Sequence, residues 1–203
     1  LSQNISEIDF LSSYIVYNSN QWNLVSSKPI KYNYVTESVL LDNFLLSSDN
    51  SKIKINGYYE NNDFFDINLL FENVNFNQVL PINNKFLAKG SFDSNWIIKR
   101  TPNENILNGS IISNEIKINN KSIGVLNFEI QGNTRIQSYL LNLEVLKNNK
   151  KTLNSLGTII NNSNFPKVDI DLVFNDFDIS FLSPLGKSIS KIKGKIDGNI
   201  NLW

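Results

Sequence analysis

Apolar and polar residues alternate with a period of two along most of this chain. Val168, Ile170, Leu172 and Phe174 share one parity, and Asp169 and Asp171 lie among the other. This period is typical of a β-strand with one buried face. After Asn175 the apolar parity shifts by one residue to Phe177, Ile179 and Phe181. A shift of one residue would turn every side chain to the opposite face, so a bulge is expected near 175–176.

The same pattern occurs earlier in the chain. The segment from Phe65 to Phe71 aligns with the segment from Val168 to Phe174 at an offset of 103 positions (168 minus 65), and its parity also shifts, after Phe71. Pro81 then aligns with Pro184 at the same offset. We interpret the pair as two copies of one unit, which predicts an elongated, stacked architecture.

Short polar turns separate the remaining strands. Asn119-Asn120-Lys121 and the segment 147–151 predict hairpins, whereas Ser183-Pro184 resembles a helix start. The predicted fold is therefore all-β. It is a long antiparallel meander curled into an elongated groove, with one short amphipathic helix near 183–192. The whole chain, 1–203, is interpreted as one segment of a longer repetitive protein, with repeat units at about 53–98 and 153–203.

Composition narrows the possible chemistry. The 203 residues carry 19 basic and 19 acidic side chains and no His, Cys or Met. Without a net positive charge, no nucleic-acid partner is expected. Without His or Cys, the usual triads, thiol chemistry and zinc sites are absent, so no catalytic residue, metal or cofactor is expected. The lack of Met predicts that the chain is a piece of a longer protein, with any membrane anchor outside it.

Paired carboxylates are the nearest approach to a chemical motif. Asp169 and Asp171 lie two residues apart, as do Asp176 and Asp178. Such pairs can bind Ca²⁺ or perform acid–base chemistry. Solvated polar positions on alternating strands explain them more simply, because the upstream copy carries Asn at three of the four positions.

The apolar parity is the remaining functional candidate. It predicts either an ordinary closed core or a trough that stays open to lipid, in which each acyl CH₂ would gain about 0.8 kcal/mol on burial. From the pattern alone the core is the more common outcome. Inward glycines (Gly57, Gly90, Gly194 and Gly198) would let such a sheet curl and leave room for a ligand.

One family shares this order of elements. A Phe181-Leu182-Ser183-Pro184-Leu185 corner follows the bent strand, and an Ile-x-Gly-x-Ile-x-Gly-x-Ile strand runs from Ile192 to Ile200. This order resembles the repeating segments of TamB (translocation and assembly module) and other AsmA-like bridge proteins of diderm bacteria. The likeness covers most of the chain downstream of Ile53, although Phe92 and Ser94 stand where the later copy has Ile196 and Gly198.

The resemblance implies a function. Such a protein would be anchored in the inner membrane and cross the periplasm to an outer-membrane Omp85-family barrel. It would conduct phospholipid along an apolar β-groove and support outer-membrane assembly, without enzymatic activity. The candidate groove residues are Ile67, Leu69, Phe71, Val168, Ile170, Leu172, Phe174, Ile196, Ile200 and Leu202.

Two other functions fit the same pattern. A secreted β-sandwich adhesin or carbohydrate-binding module would have a closed core and exposed aromatic platforms, for which Trp22, Trp96 and Trp203 are the candidates. An outer-membrane barrel fragment would need uninterrupted lipid-facing strands, but Asn and Ser interrupt both faces here.

Overall fold

The alternating segments form strands of a single antiparallel sheet in the computed structural model of the protein. The structure describes residues 4–25, 28–61, 63–81, 87–133, 138–160, 166–182 and 192–203. The segment 183–191, where most of the predicted helix falls, lies outside the described residues.

The described chain contains fifteen strands, one α-helix and one 3-10 helix. Their bounds are β1 Ile5–Ile8, β2 Tyr14–Tyr17, β3 Asn20–Leu24, β4 Ile30–Asn33, β5 Ser38–Ser48, β6 Ser51–Asn61, β7 Phe64–Asn75, α1 Phe76–Val79, β8 Ala88–Lys89, β9 Ser91–Thr101, β10 Glu104–Ile118, β11 Lys121–Asn133, β12 Ser138–Lys147, β13 Lys150–Ile160, β14 Lys167–Asp178, the 3-10 helix Ser180–Leu182, and β15 Lys195–Leu202.

The strands follow one another across an open sheet. Their order is β1-β4-β5-β6-β7-β9-β10-β11-β12-β13-β14-β15, and every pairing is antiparallel. Near the first edge, β4 pairs with the start of β5 and β3 with its end, while β2 forms a hairpin with β3. The sequence prediction of an all-β antiparallel meander is therefore confirmed.

Asparagine-rich turns join several neighbouring strands. Both central residues have positive φ in the turns Asn18-Ser19, Asn119-Asn120 and Asn148-Asn149. Two positive φ values define the type I′ turn, whose twist matches that of antiparallel strands, and Asn tolerates this conformation better than most residues. The abundance of Asn in this chain thus has a structural use.

Both predicted bulges are present. The β7–β9 ladder shifts register between Phe71 and Val74, and the β14–β15 ladder between Phe174 and Phe177. In the first, the N–H of Asn73 donates to Asp93 Oδ1 at 2.7 Å; in the second, the N–H of Asp176 donates to Asp197 Oδ1 at 2.6 Å. Each bulge adds one residue, so the apolar side chains on both sides of it stay on the same face.

Helix α1 covers one end of the sheet. This end, here called the bulge end, carries the turns 119–120 and 148–149 and both bulges. After β7, α1 folds back so that Phe76 and Val79 pack against a core of Trp22, Val74 and Phe92. The sequence pattern did not predict this helix, because its four residues are too few for a helical period to show.

A buried polar contact anchors α1. Gln78 is 3% exposed, and its Oε1 accepts hydrogen bonds from the Ser51 hydroxyl at 2.8 Å and from the Asn75 N–H at 2.9 Å. The segment that follows β14 begins with the same backbone hydrogen bond as α1. Ile179 N–H donates to Gly194 O at 3.1 Å, as Phe76 N–H does to Gly90 O. The two segments that follow the bulges therefore begin in the same way, while the extents of the repeat units stay a prediction.

Two features of the middle strands position them in the sheet. Strand β8 is separated from β9 at Gly90, where φ is +118°, and pairs with β10 beyond the end of β9. The Pro102-Asn103 turn joins β9 to β10, because the flanking strands continue to Thr101 and from Glu104.

The described helices are short. Within the ranges the structure describes, none is long and apolar enough to cross a membrane.

We expect Gln78→Ala to lower the free energy of unfolding by about 1–3 kcal/mol, because the Asn75 N–H loses its buried acceptor. Urea unfolding of the whole chain measures the change. Asn77→Ala is the matched control, since Asn77 is exposed on the same helix. Equal losses in the two variants would contradict the anchoring role of Gln78.

Candidate functional site

Apolar residues of neighbouring strands pair in register with one another. They therefore form rows that run across the sheet, perpendicular to the strands. We call the surface that carries these rows the apolar face, and the opposite surface the polar face. The central row is Phe44, Ile55, Leu69, Trp96, Gly109, Ile130, Leu141, Gly157, Ile170 and Leu202. The bulge-side row is Leu46, Ile53, Phe71, Ser94, Ile111, Phe128, Leu143, Ser155, Leu172 and Ile200.

A third row lies on the other side of the central row. It consists of Leu41, Gly57, Ile67, Ile98, Leu107, Gly132, Tyr139, Ile159 and Val168. The first two rows each cross ten strands, from β5 to β15, which is about 45 Å at the usual strand spacing. The apolar face is therefore a continuous band rather than a local pocket.

All ten groove candidates lie on this face. Leu69, Ile170 and Leu202 are in the central row, and Phe71, Leu172 and Ile200 are in the bulge-side row. Ile67 and Val168 are in the third row. Phe174 lies opposite Gly198, and Ile196 opposite Phe177. The structure thus brings residues from two distant parts of the chain into common rows, while their role as lipid contacts stays a prediction.

Some apolar side chains on the polar face are more exposed than those of the rows. On the apolar face, Leu69, Ile170 and Leu172 are half-buried. On the polar face, Ile112 is 58% and Leu156 is 54% exposed. Among the residues the structure describes, no second sheet covers the apolar face. Side chains on the same sheet therefore supply the cover, as expected for the concave side of a curled sheet.

The last strand is the exception. Ile200 is 47% and Leu202 is 46% exposed, because β15 is the edge of the sheet and has a neighbour on one side only. These two candidates are the most accessible apolar side chains of their rows.

The sequence alone did not single out the middle of the band. Strands β9 to β13 contribute Trp96, Ile130, Leu141 and their neighbours to the rows. Strands β9, β11 and β12 show the same alternation as β14, whereas β10 and β13 place glycine or serine at several row positions. The register was needed to show that all these parities face the same side.

Glycines in the rows leave space for neighbouring aromatic rings. An added Cβ on Gly109 would lie 2.1 Å from the Trp96 ring, and one on Gly132 would lie 2.0 Å from the Tyr139 ring. Both aromatic side chains therefore lie flat over a neighbouring glycine instead of standing above the face. Gly57 has the inward position predicted for it, beside Ile67.

Gly90 and Gly194 were predicted to leave room on the inward face, but they have a different role in the structure. Their φ values are +118° and +140°, which disfavour any other residue, and their carbonyls accept the hydrogen bonds that begin the two segments after the bulges. Gly198 lies within the β14–β15 ladder opposite Phe174, but its φ is also positive, at +144°.

The few polar atoms on the apolar face have partners. Ser94 is 4% exposed; its hydroxyl donates to Ser110 O at 2.8 Å and accepts from Trp96 Nε1 at 2.6 Å. In the part of the chain that the structure describes, no buried side-chain nitrogen or oxygen lacks a hydrogen bond. The band therefore presents no unpaired polar group to an apolar ligand.

The tryptophans do not form an exposed platform. Trp22 is 4% exposed in the core under α1, and Trp96 is half-buried over Gly109. Trp203 is 98% exposed but stands alone at the end of the chain. The three aromatic candidates of the carbohydrate-binding hypothesis thus lie in three different environments.

The paired aspartates lie on the polar face. Asp169 and Asp171 are exposed and pair in register with Thr158 and Leu156, and Asp171 also accepts a hydrogen bond from the Asn201 side chain. Within the described ranges, no group of three or more acidic residues is close enough to hold a metal ion.

One carboxylate at the bulge end has a shifted pKa. Hydrogen bonds from the backbone and side chain of Ser180 lower the pKa of Asp178, and the nearby charges of Lys147 and Lys121 lower it further. Asp178 is therefore ionised throughout the neutral range and contributes a fixed negative charge there.

Comparison of the chain with protein-family models, curated protein sequences and solved structures gives no match.

We expect Gly109→Ala to move the Trp96 indole off the face and break its hydrogen bond to Ser94, because the new Cβ would overlap the ring. Hydrogen exchange at the indole N–H, followed by NMR, should become about fivefold faster, since breaking the bond removes about 1 kcal/mol of protection. Ser110→Ala, on the same strand with its side chain on the polar face, is the control. An unchanged exchange rate in Gly109→Ala would contradict the proposed packing.

Proposed function

We propose that this chain is a non-enzymatic, lipid-conducting segment that carries phospholipid acyl chains along its apolar face. One observation carries the proposal: the central and bulge-side rows are continuous from β5 to β15 on a sheet with no second layer among the described residues. A sandwich domain would bury such a face against another sheet.

The energetics favour movement rather than tight binding. Each acyl CH₂ gains about 0.8 kcal/mol wherever it lies on an apolar surface. Neighbouring strands present similar side chains, so a chain that slides from one strand to the next exchanges equivalent contacts. Because Trp96 and Tyr139 lie over glycines, their rings would not stand above the face and block this sliding.

The cellular setting is also a proposal, and it rests on the resemblance to TamB and AsmA-like bridge proteins. The segment would work in the periplasm, within a protein anchored in the inner membrane by a part not contained here. Phospholipid would pass toward the outer membrane, where an Omp85-family barrel would be the partner. Transport along the groove would thereby support outer-membrane assembly.

The adhesin or carbohydrate-binding alternative has less support. It calls for a closed core and an aromatic platform, whereas the described strands form one open sheet and Trp22 is 4% exposed. No observation on the described residues favours it over the lipid proposal.

Charge on the apolar face tests the proposal. We expect Leu172→Lys to reduce crosslinking of a phospholipid with a photoreactive diazirine in its acyl chain by at least tenfold, because a half-buried ammonium would interrupt the bulge-side row. Ile170→Lys should act in the same way on the central row. The measurement is crosslinked adduct per chain by intact mass spectrometry.

Leu156→Lys is the matched control. Leu156 lies on the polar face one strand away, opposite Asp171, so a lysine there is tolerated. Crosslinking that persists in Leu172→Lys, or that falls equally in Leu156→Lys, would overturn the assignment of the apolar face as the lipid path.

A further inference from the structure

Strand β2 exposes apolar side chains on both of its faces. Its four residues, Tyr14-Ile15-Val16-Tyr17, are between 46% and 61% exposed. Ile15 pairs in register with Trp22, so Ile15 and Tyr17 lie on the side of the Trp22 core, whereas Tyr14 and Val16 lie on the opposite side. An antiparallel strand with a solvated face ordinarily carries polar side chains there. Strand β2 therefore lacks the alternation that its exposed position calls for.

The loop before β2 extends this apolar surface. Leu11 is 89% exposed, and the ring of Phe10 meets that of Phe44 edge-on, with 6.2 Å between the ring centroids. Phe44 begins the central row of the apolar face. We call Phe10, Leu11 and strand β2 together the β2 surface. It adjoins the apolar face at the start of the central row.

The β2 surface lies in an uncharged part of the chain. No Lys, Arg, Asp or Glu occurs from Phe10 to Ser27, although the chain has 19 basic and 19 acidic residues. Charged side chains are a common means by which an edge strand avoids unwanted contacts. Contiguous exposed apolar patches mark contact with another protein or with a membrane. The composition of the β2 surface thus indicates an interaction surface with an apolar partner.

Hydrogen bonds at both ends of β2 hold this surface in place. The Asn18 side chain, in the turn after β2, donates to Leu80 O at the end of α1. Before β2, the carbonyl of Ser13 accepts a hydrogen bond from the Leu24 N–H at 2.9 Å. The apolar side chains of β2 are therefore presented on a fixed support.

The distribution of exposed side chains favours a membrane over a protein partner. Among the described strands β2 pairs only with β3, so its outer edge is free. An added strand would cover that edge and a second sheet would cover one face, but the apolar side chains lie on both faces. A bilayer interface surrounds an inserted edge and covers both. Tyr14 and Tyr17, at the two ends of the strand, suit this interface, because an apolar ring there carries a hydrated hydroxyl.

We propose that the β2 surface inserts into the interfacial region of a lipid bilayer. The backbone groups on the outer edge of β2 cannot be buried in hydrocarbon, so the strand lies at the level of the headgroups and its side chains reach below them. Because the surface is uncharged, binding depends on buried apolar area and requires no anionic lipid. The inference goes beyond the proposed function, since membrane contact does not depend on conduction of lipid.

Vesicle flotation tests the proposal. We expect the full chain to bind large unilamellar vesicles of dioleoylphosphatidylcholine, at low and at high salt alike. Ile15→Thr with Val16→Thr should lower the partition coefficient about tenfold, because two apolar side chains lose their burial. Thr keeps the β-branched shape that suits a strand. Ile112→Thr with Leu156→Thr is the matched control, since both residues are exposed on the polar face, and it should leave the partition coefficient unchanged.

A labelled cysteine gives a second readout, because the chain has no cysteine of its own. An environment-sensitive NBD group attached to Val16→Cys should shift its emission to shorter wavelength when these vesicles are added. The same group attached to Leu156→Cys should show no shift. This comparison does not depend on the folding of the threonine variants.

Three results would overturn the proposal: no binding of the full chain to these vesicles, an equal loss in the two threonine pairs, or binding that requires phosphatidylglycerol and disappears at high salt. A dimer in sedimentation velocity that Ile15→Thr with Val16→Thr dissociates, without vesicle binding, would assign the β2 surface to contact between copies instead. The proposed function is judged separately, by lipid crosslinking in Leu172→Lys. Failure of the membrane surface and failure of the lipid path are thus distinguishable.

Discussion

The side-chain alternation of every strand must stay in phase with that of its neighbours across the whole sheet. A slip of one residue in any ladder would turn the apolar parity of that strand to the polar face. The bulges at Asn73 and Asp176 show how this phase is kept, because each absorbs the extra residue and an aspartate on the next strand accepts its free N–H. The continuity of the apolar rows depends on this constraint.

The sheet needs a means of limiting its own exposed apolar surface, since the described residues include no second layer. Curling of the sheet reduces this exposed surface. At the bulge end α1 reduces it further by burying Trp22, Val74 and Phe92. Most other residues of the rows stay half-buried, and those on β15 are exposed. The part of the apolar face under α1 therefore contributes to stability, whereas the more accessible part is the one on which the proposed function depends.

The sequence predicted much of the site, because alternation and turn chemistry are local properties. The candidates on β7 and β14 lie on the apolar face, and both parity shifts correspond to bulges. The pattern did not reveal the contribution of Trp96 or Leu141, because alternation does not specify a strand's neighbours. It also gave no sign that β13 and β14 separate beyond the pair Leu153 and Phe174.

The sequence by itself determined the strands, their hairpin turns and the positions of the two bulges, because period-two alternation and Asn at positive φ act over a few residues. Only the tertiary structure decided that the strands form one sheet and that all their apolar parities meet on one side. A sandwich and a single curled sheet require the same alternation in each strand. They differ in register and in what covers the apolar face, and both depend on contacts between distant parts of the chain.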